Sequence, residues 1–218
     1  VTSISPVITI FTLGDWQTNC HVVTSGDPGS KNCWIVDCGF DPDEMLDFVA
    51  EKSLKPQAIL LTHAHLDHIG GVDQVLSRFG KLPMYIHQAE AGFCSDPMLN
   101  LSAMIGMGTT CAEPDHLLKH GDTLMLDGSI WRVLHTPGHS PGGACFVHDE
   151  SKQAIVGDTL FAGSIGRFDF PTSDAELLRK SLDLLMTLPD DMTIYPGHGP
   201  TTTIGMERRS NPYINGGF

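Results

Sequence analysis

Positive charge is scarce in this chain: 13 Lys and Arg stand against 26 Asp and Glu, for a net charge of −13. So acidic a chain repels phosphate backbones and anionic lipid, and neither nucleic acid nor a membrane surface is an expected partner. Long apolar runs are missing as well, and none approaches the roughly 20 residues that span a bilayer. The opening stretch, Val1 to Phe11, lacks a charged leader and a cleavage pattern, so it reads as a first strand. Paired cysteines are absent too. Cys20, Cys33, Cys38, Cys94, Cys111 and Cys145 are scattered with no C-x-x-C, which fits buried thiols in a reducing compartment better than a disulfide framework. A cytoplasmic location is the expectation. No linker or composition shift divides the chain, so residues 1–218 are expected to form one domain, long enough to bury a sizeable core.

What the chain does have is histidine in a telling place. Thr62-His63-Ala64-His65-Leu66-Asp67-His68-Ile69-Gly70-Gly71 follows the apolar run Ala58-Ile59-Leu60-Leu61. That run reads as a buried strand, and Ile69, Val72, Val75, Leu76 and Phe79 recur at helical spacing after it. In extended chain His63 and His65 point to one side, because side chains alternate. Asp67 and His68, in the turn onto the helix, reach a neighbouring point. This is a metal-site layout, distinct from the helical H-E-x-x-H arrangement.

Around it the pattern alternates between strands and helices. Val7–Leu13, His21–Thr24 and Cys33–Asp37 read as strands, the last two joined by the turn Gly26-Asp27-Pro28-Gly29. Asp41-Pro42 opens a helix with Met45, Leu46 and Val49 on its inner face. Further strands are predicted at Met84–His87, Thr123–Leu126, Ile130–His135, Ala144–His148, Gln153–Val156 and Met192–Tyr195, with a helix over Asp174–Thr187. The Met- and Gly-rich stretch Phe93–Gly108 reads as a helix packed on the core or as an adaptable flap over the site. Two mixed sheets face to face, with helices outside, satisfy this order.

Three more loops follow apolar strands and carry a donor on a glycine-rich turn: His139 in Thr136–Gly143, Asp158 in Gly157-Asp158-Thr159, and His198 in Pro196–Pro200. Five histidines and two aspartates exceed the four ligands of a closed zinc site. Two metals sharing one carboxylate is the economical solution. The other six histidines lack this context, although His135, four residues before His139, is a candidate support for it.

The series His63-x-His65-x-Asp67-His68, His139, Asp158, His198 resembles the metallo-β-lactamase superfamily over nearly the whole chain. The resemblance implies an α/β fold, the αββα sandwich of two mixed β-sheets flanked by helices. It also implies a first metal on His63, His65 and His139, a second on Asp67, His68 and His198, and a bridge at Asp158. Gly157–Phe161, Gly166–Phe170 and Tyr195–Gly199 are similar to the glyoxalase II-like (hydroxyacylglutathione hydrolase-like) thiolester hydrolases. Only 20 residues follow His198, so the helical C-terminal domain that helps full-length glyoxalase II hold glutathione is not expected here. The family's basic residue after the bridging aspartate is matched by Arg167, while the tyrosine two positions later is replaced by Asp169. Asp158 counts against β-lactam hydrolysis, since true β-lactamases generally lack that bridge.

The expected function is dinuclear metal-dependent hydrolysis of a small-molecule thiolester such as S-lactoylglutathione. Two divalent ions (zinc first, iron or manganese as alternatives) would make a shared water acidic enough to attack the carbonyl. Asp67 is expected to orient that water as well as bind metal, Arg167 to grip a substrate carboxylate, and Asp37 or Cys38 to support the ligands. One alternative is a persulfide dioxygenase with a single iron, a branch that Gly166-Arg167-x-Asp169-Phe170 also resembles. Another is a non-catalytic metal-binding module. Cleavage of RNA is disfavoured by the acidic balance.

Overall fold

The computed structural model describes residues 5–216, so the first four residues of the stretch Val1 to Phe11 lie outside it. Six strands form the first sheet in the order of the chain: β1 (Val7–Leu13), β2 (Thr18–Thr24), β3 (Asn32–Val36), β4 (Lys55–Leu60), β5 (Met84–His87) and β6 (His116–Leu118). β1 to β3 pair antiparallel, and β3 to β6 pair parallel. In the second sheet β7 (Thr123–Leu126), β8 (Ser129–His135), β9 (Ala144–His148) and β10 (Gln153–Gly157) form an antiparallel meander. After the small hairpin β11 (Leu160–Phe161) and β12 (Ser164–Ile165), β13 (Thr193–Pro196) returns parallel to β10, with β14 (Thr202–Thr203) at its edge.

Alternating side chains give each sheet two apolar faces. In β3, Trp34 and Val36 enter the layer between the sheets, where they meet Trp131, Val133, Phe146 and Ile155. Cys33 and Ile35 face the other way, onto Met45, Leu46 and Val49 of α1 (Asp43–Glu51) and Val72 and Val75 of α3 (Val72–Phe79). The second sheet repeats this. Cys145, Val147, Ala154 and Val156 bury Leu178, Leu182 and Leu185 of α4 (Ala175–Leu185). A strand buried on both faces reads as a continuous apolar run, as these do. The result is the expected αββα sandwich of two mixed sheets.

Two expectations are corrected. The helix after the histidine cluster is two pieces, α2 (Leu66–Ile69) and α3. Gly70 and Gly71 sit between them, and a Cβ on Gly71 would stand 2.2 Å from the Gly39 carbonyl oxygen, so the chain turns where only glycine fits. Phe93–Gly108 is not a core helix: its regular part is a single 3-10 turn, Ser102–Ile105. Phe93, Cys94 and Leu101 anchor the stretch while Met98, Met104 and Ile105 stay exposed. Two short helices on which the sequence reading was silent, α5 (Ile204–Ser210) and α6 (Pro212–Gly216), follow the last ligand loop. Among the described residues no helix is long and apolar enough to cross a membrane.

Candidate metal centre

Each candidate donor sits just beyond the C-terminal end of a strand: β4 leads to His63–His68, β8 to His139, β10 to Asp158 and β13 to His198. Backbone bonds lock these loops together along one edge of the sandwich. Ala144 N–H donates to the Thr62 carbonyl (2.8 Å), Gly197 N–H to Gly157 (2.8 Å), Asn19 N–H to Gly197 (2.7 Å) and Cys38 N–H to His68 (2.8 Å). The loops approach so closely that a Cβ on Gly197 would lie 2.1 Å from Asp158 Oδ1.

The structure brings all seven residues together. Donor atoms of His63, His65 and His139 lie within 4.8 Å of one another, as do those of Asp67, His68 and His198, and those of His63, His68 and Asp158. Asp158 lies between the groups: Oδ1 is 3.3 Å from His68 Nε2, and Oδ2 is 3.5 Å from the Nε2 atoms of both His139 and His198. His198 Nε2 is also 3.1 Å from Asp67 Oδ2.

Surrounding groups decide which nitrogen of each ring faces inward. His139 Nδ1–H must donate to the Arg167 carbonyl (2.8 Å), since a carbonyl only accepts. His68 Nδ1–H donates to Asp37 Oδ2 (2.9 Å). Thr62 Oγ1 donates to the same carboxylate (2.7 Å), leaving its own oxygen to accept from His63 Nδ1–H (3.2 Å). In all three rings the Nε2 lone pair is thereby aimed at the centre. His63 Nε2, His65 Nε2, His68 Nε2 and Asp158 Oδ1 are buried with no hydrogen-bond partner, and His65 Nδ1 lies 2.9 Å from His139 Nε2. Buried polar atoms left unpartnered are costly. Several converging on one point fit cations, and an all-nitrogen-and-oxygen donor set suits zinc, iron or manganese.

Charge divides the centre in two. Burial, reinforced by neighbouring imidazoles, holds His63 far below its ordinary pKa and lowers His65 to about 3. Burial lowers His139 as well, so these three rings form a neutral half. Burial also acts against charge on His68, but Asp67, Asp37 and Asp158 outweigh it and push that ring well above its usual value. His198 is raised in the same way, its burial offset by Asp67 and Asp158. The carboxyls of Asp67 and Asp158 are held low by these imidazoles despite their burial.

Of the expected supports, Asp37 touches the centre and Cys38 contributes only backbone. Asp37 is fully buried, with φ of 59°, a conformation uncommon for a residue with a side chain. His135 does not reach a site imidazole: it stacks on His87 at 3.7 Å and bonds the Pro141 carbonyl. Arg167 does line the cavity, and there its Nε–H and one terminal N–H donate to Asp169 at 2.9 Å in an exposed ion pair. Sequence reasoning missed two residues. Thr18 Oγ1 donates to Asp67 Oδ2 at 3.0 Å. The buried carboxylate of Glu90 accepts from Ala64 N–H (2.6 Å), Gly142 N–H (2.8 Å) and Ser140 Oγ (2.5 Å). It thereby ties the His63–His65 loop to the His139 loop. Neither carried a local signal.

The centre opens into a cavity of about 480 Å³, within the range of small-molecule sites. Its non-ligand wall is mostly apolar, including Trp16, Leu101, Met104, Ile105 and Phe170.

Residues 13–198 match the metallo-beta-lactamase superfamily. The chain is 37% identical over 211 residues to hydroxyacylglutathione hydrolase GloC of Haemophilus influenzae, covering 95% of this chain and 98% of that protein. Among solved structures, BLEG-1, described as a B3 metallo-beta-lactamase, shares 38% identity at a TM-score of 0.89, over 95% of this chain and 99% of that one. TTHA1623, solved in a di-iron-bound form, shares 38% identity at a TM-score of 0.80, over 94% and 99%.

Proposed function

The chain belongs to the metallo-β-lactamase superfamily, and we propose that within it this protein is a dinuclear metallo-hydrolase of thiolesters. The observation that carries the reading is the set of bare Nε2 atoms and carboxylate oxygens converging from four strand ends. His63, His65 and His139 would hold one divalent ion, Asp67, His68 and His198 a second, with Asp158 between them. When bound, such a pair lowers the pKa of a water and draws charge from a carbonyl oxygen or a leaving group.

The protein's own groups do the rest. Asp67 lines the cavity, and Thr18 holds its carboxylate in place, so it orients the attacking water and can take its proton. Asp37 and the Arg167 carbonyl fix the tautomers of His68 and His139. The apolar wall shelters the acyl chain and limits stray water. Water adds to the carbonyl carbon, the C–S bond breaks, and the products are a carboxylic acid and a thiol. The wall favours an acyl compound over a phosphodiester: among the described residues Arg167 is the cavity's one arginine or lysine, and it is paired with Asp169. The name of the GloC relative supports a thiolester in particular.

The test is elemental analysis of the purified protein beside an activity screen of thiolesters, β-lactams and persulfides. Two metals per chain are expected, with thiolester turnover abolished in His63→Ala and Asp158→Ala. A single iron with oxygen uptake on a persulfide, or inertness toward every thiolester at full metal loading, overturns the reading. The β-lactam arm is included because of BLEG-1.

A further inference from the structure

We propose that Cys94 and Cys111 are a reversible redox pair: a hydroperoxide joins them in a disulfide that clasps the base of the loop walling the cavity. The backbone already brings the two residues together, since Cys111 N–H donates to the Cys94 carbonyl at 2.9 Å. With standard bond lengths that contact keeps their Cα atoms within about 7 Å, the limit beyond which two cysteines cannot be bridged. The two thiols are themselves in hydrogen-bond contact. Both are free, and Cys111 is partly exposed while the other five cysteines are buried. An oxidant therefore reaches Cys111 first, with Cys94 behind it as the resolving thiol.

The loop between the two cysteines faces the centre. Leu101, Met104 and Ile105 line the cavity, and the Asn100 carbonyl accepts from Leu66 N–H at 3.0 Å, between the candidate ligands His65 and Asp67. Within the loop, the buried Asn100 side chain donates to the carbonyls of Phe93 (3.1 Å) and Thr109 (2.9 Å). Only hydrogen bonds and packing close its base, and such contacts break in local opening. A covalent bond there would keep the wall in place.

The chemistry needs no partner besides the peroxide. The Cys111 thiolate attacks a peroxide oxygen, an S–O bond forms and the O–O bond breaks. The leaving hydroxide or alkoxide takes up the proton that the thiol released. Cys94 then attacks the sulfenic sulfur, the S–S bond forms, and the S–O bond breaks with loss of water, which carries the Cys94 proton. Two thiols are oxidised to one disulfide, and one peroxide is reduced. Contact with Cys94, then burial, and more weakly Asp73 and Cys38 raise the pKa of Cys111. Little thiolate is therefore present at neutral pH, and the clasp closes slowly.

The experiment treats the zinc-loaded full chain with hydrogen peroxide, stops the reaction with catalase and maps its peptides without reduction. The expected product is a linked Cys94–Cys111 peptide lacking two hydrogens, which dithiothreitol reverts. Closing a loop of about 15 residues restricts its detached state by about a hundred-fold. With part of that lost to strain, chymotryptic cleavage after Leu101 and Met104 should slow at least about ten-fold in the oxidised protein. Dithiothreitol should restore the original rate, which separates the clasp from methionine sulfoxide. Cys111→Ser should show neither the link nor the slowing. Cys94→Ala should stop at a sulfenic acid on Cys111, trapped by dimedone. No linked peptide, a link to another cysteine, cleavage that the link does not slow, or slowing that persists in Cys111→Ser each overturns the proposal. These readouts do not depend on which substrate the centre turns over, so a failed thiolester assay leaves them standing.

Discussion

Glu90 offers the sharpest check on how the centre is held. Its carboxylate is fully buried and accepts three hydrogen bonds, from Ala64, Gly142 and Ser140. Burial raises its pKa, and those bonds pull the other way. In Glu90→Gln, whichever way the amide turns, one backbone N–H loses its acceptor, at a cost of about 1–3 kcal/mol. Glu90→Ala strips all three donors and leaves a void beside Gly142, at a cost of about 3–5 kcal/mol. The loss falls between the two loops that carry His65 and His139, so metal retention should drop in the same order: wild type, Gln, Ala. Urea unfolding of the metal-free variants measures the first effect, and elemental analysis after dialysis the second. If Glu90→Ala unfolds within about 1 kcal/mol of the wild type, below the cost of even one orphaned donor, and keeps its full metal content, the reasoning is wrong.

Other perturbations follow from the same geometry. Asp37→Asn keeps an oxygen for only part of its three contacts with Thr62 and His68. It should weaken metal binding by about ten- to a hundred-fold, the usual effect of losing such a support, and an unchanged affinity would count against the tautomer argument. Gly197→Ala should push Asp158 aside, given the 2.1 Å approach, and lower metal content while circular dichroism stays native; full metal retention would contradict it. Metal stoichiometry should fall stepwise on acidification. His68 and His198 hold protons more tightly than ordinary imidazoles, so protons displace metal there first, whereas His65, lowered to about 3, resists protonation much further down. Simultaneous loss of both ions across the titration would refute that order.

The donors were legible because each stands in a local pattern: a short apolar strand, then a glycine-rich turn bearing His or Asp. Strands such as Met84–His87 and Ala144–His148 were legible in the same way, from runs whose ends are marked by turn residues. Phe93–Gly108 was misread as a core helix in one of its two readings because methionine so often fills gaps in cores; Leu101 sits at φ 70° and Gly106 at 75°, which ends any helix. His135 was singled out by closeness in sequence to His139, yet strand β8 directs it onto His87.

By itself the sequence determined the identity and order of the seven donors, and through them the kind of chemistry, because side-chain type and strand-end placement are local properties. Tertiary structure alone decided what holds and limits that chemistry. Glu90 acts on groups 26, 50 and 52 residues away, and Asp37 on groups 25 and 31 residues away. Whether Arg167 faces a substrate or an internal partner likewise depended on how its loop folds back over the cavity. A hydrogen bond is satisfied by proximity in space, and no spacing along a chain records it.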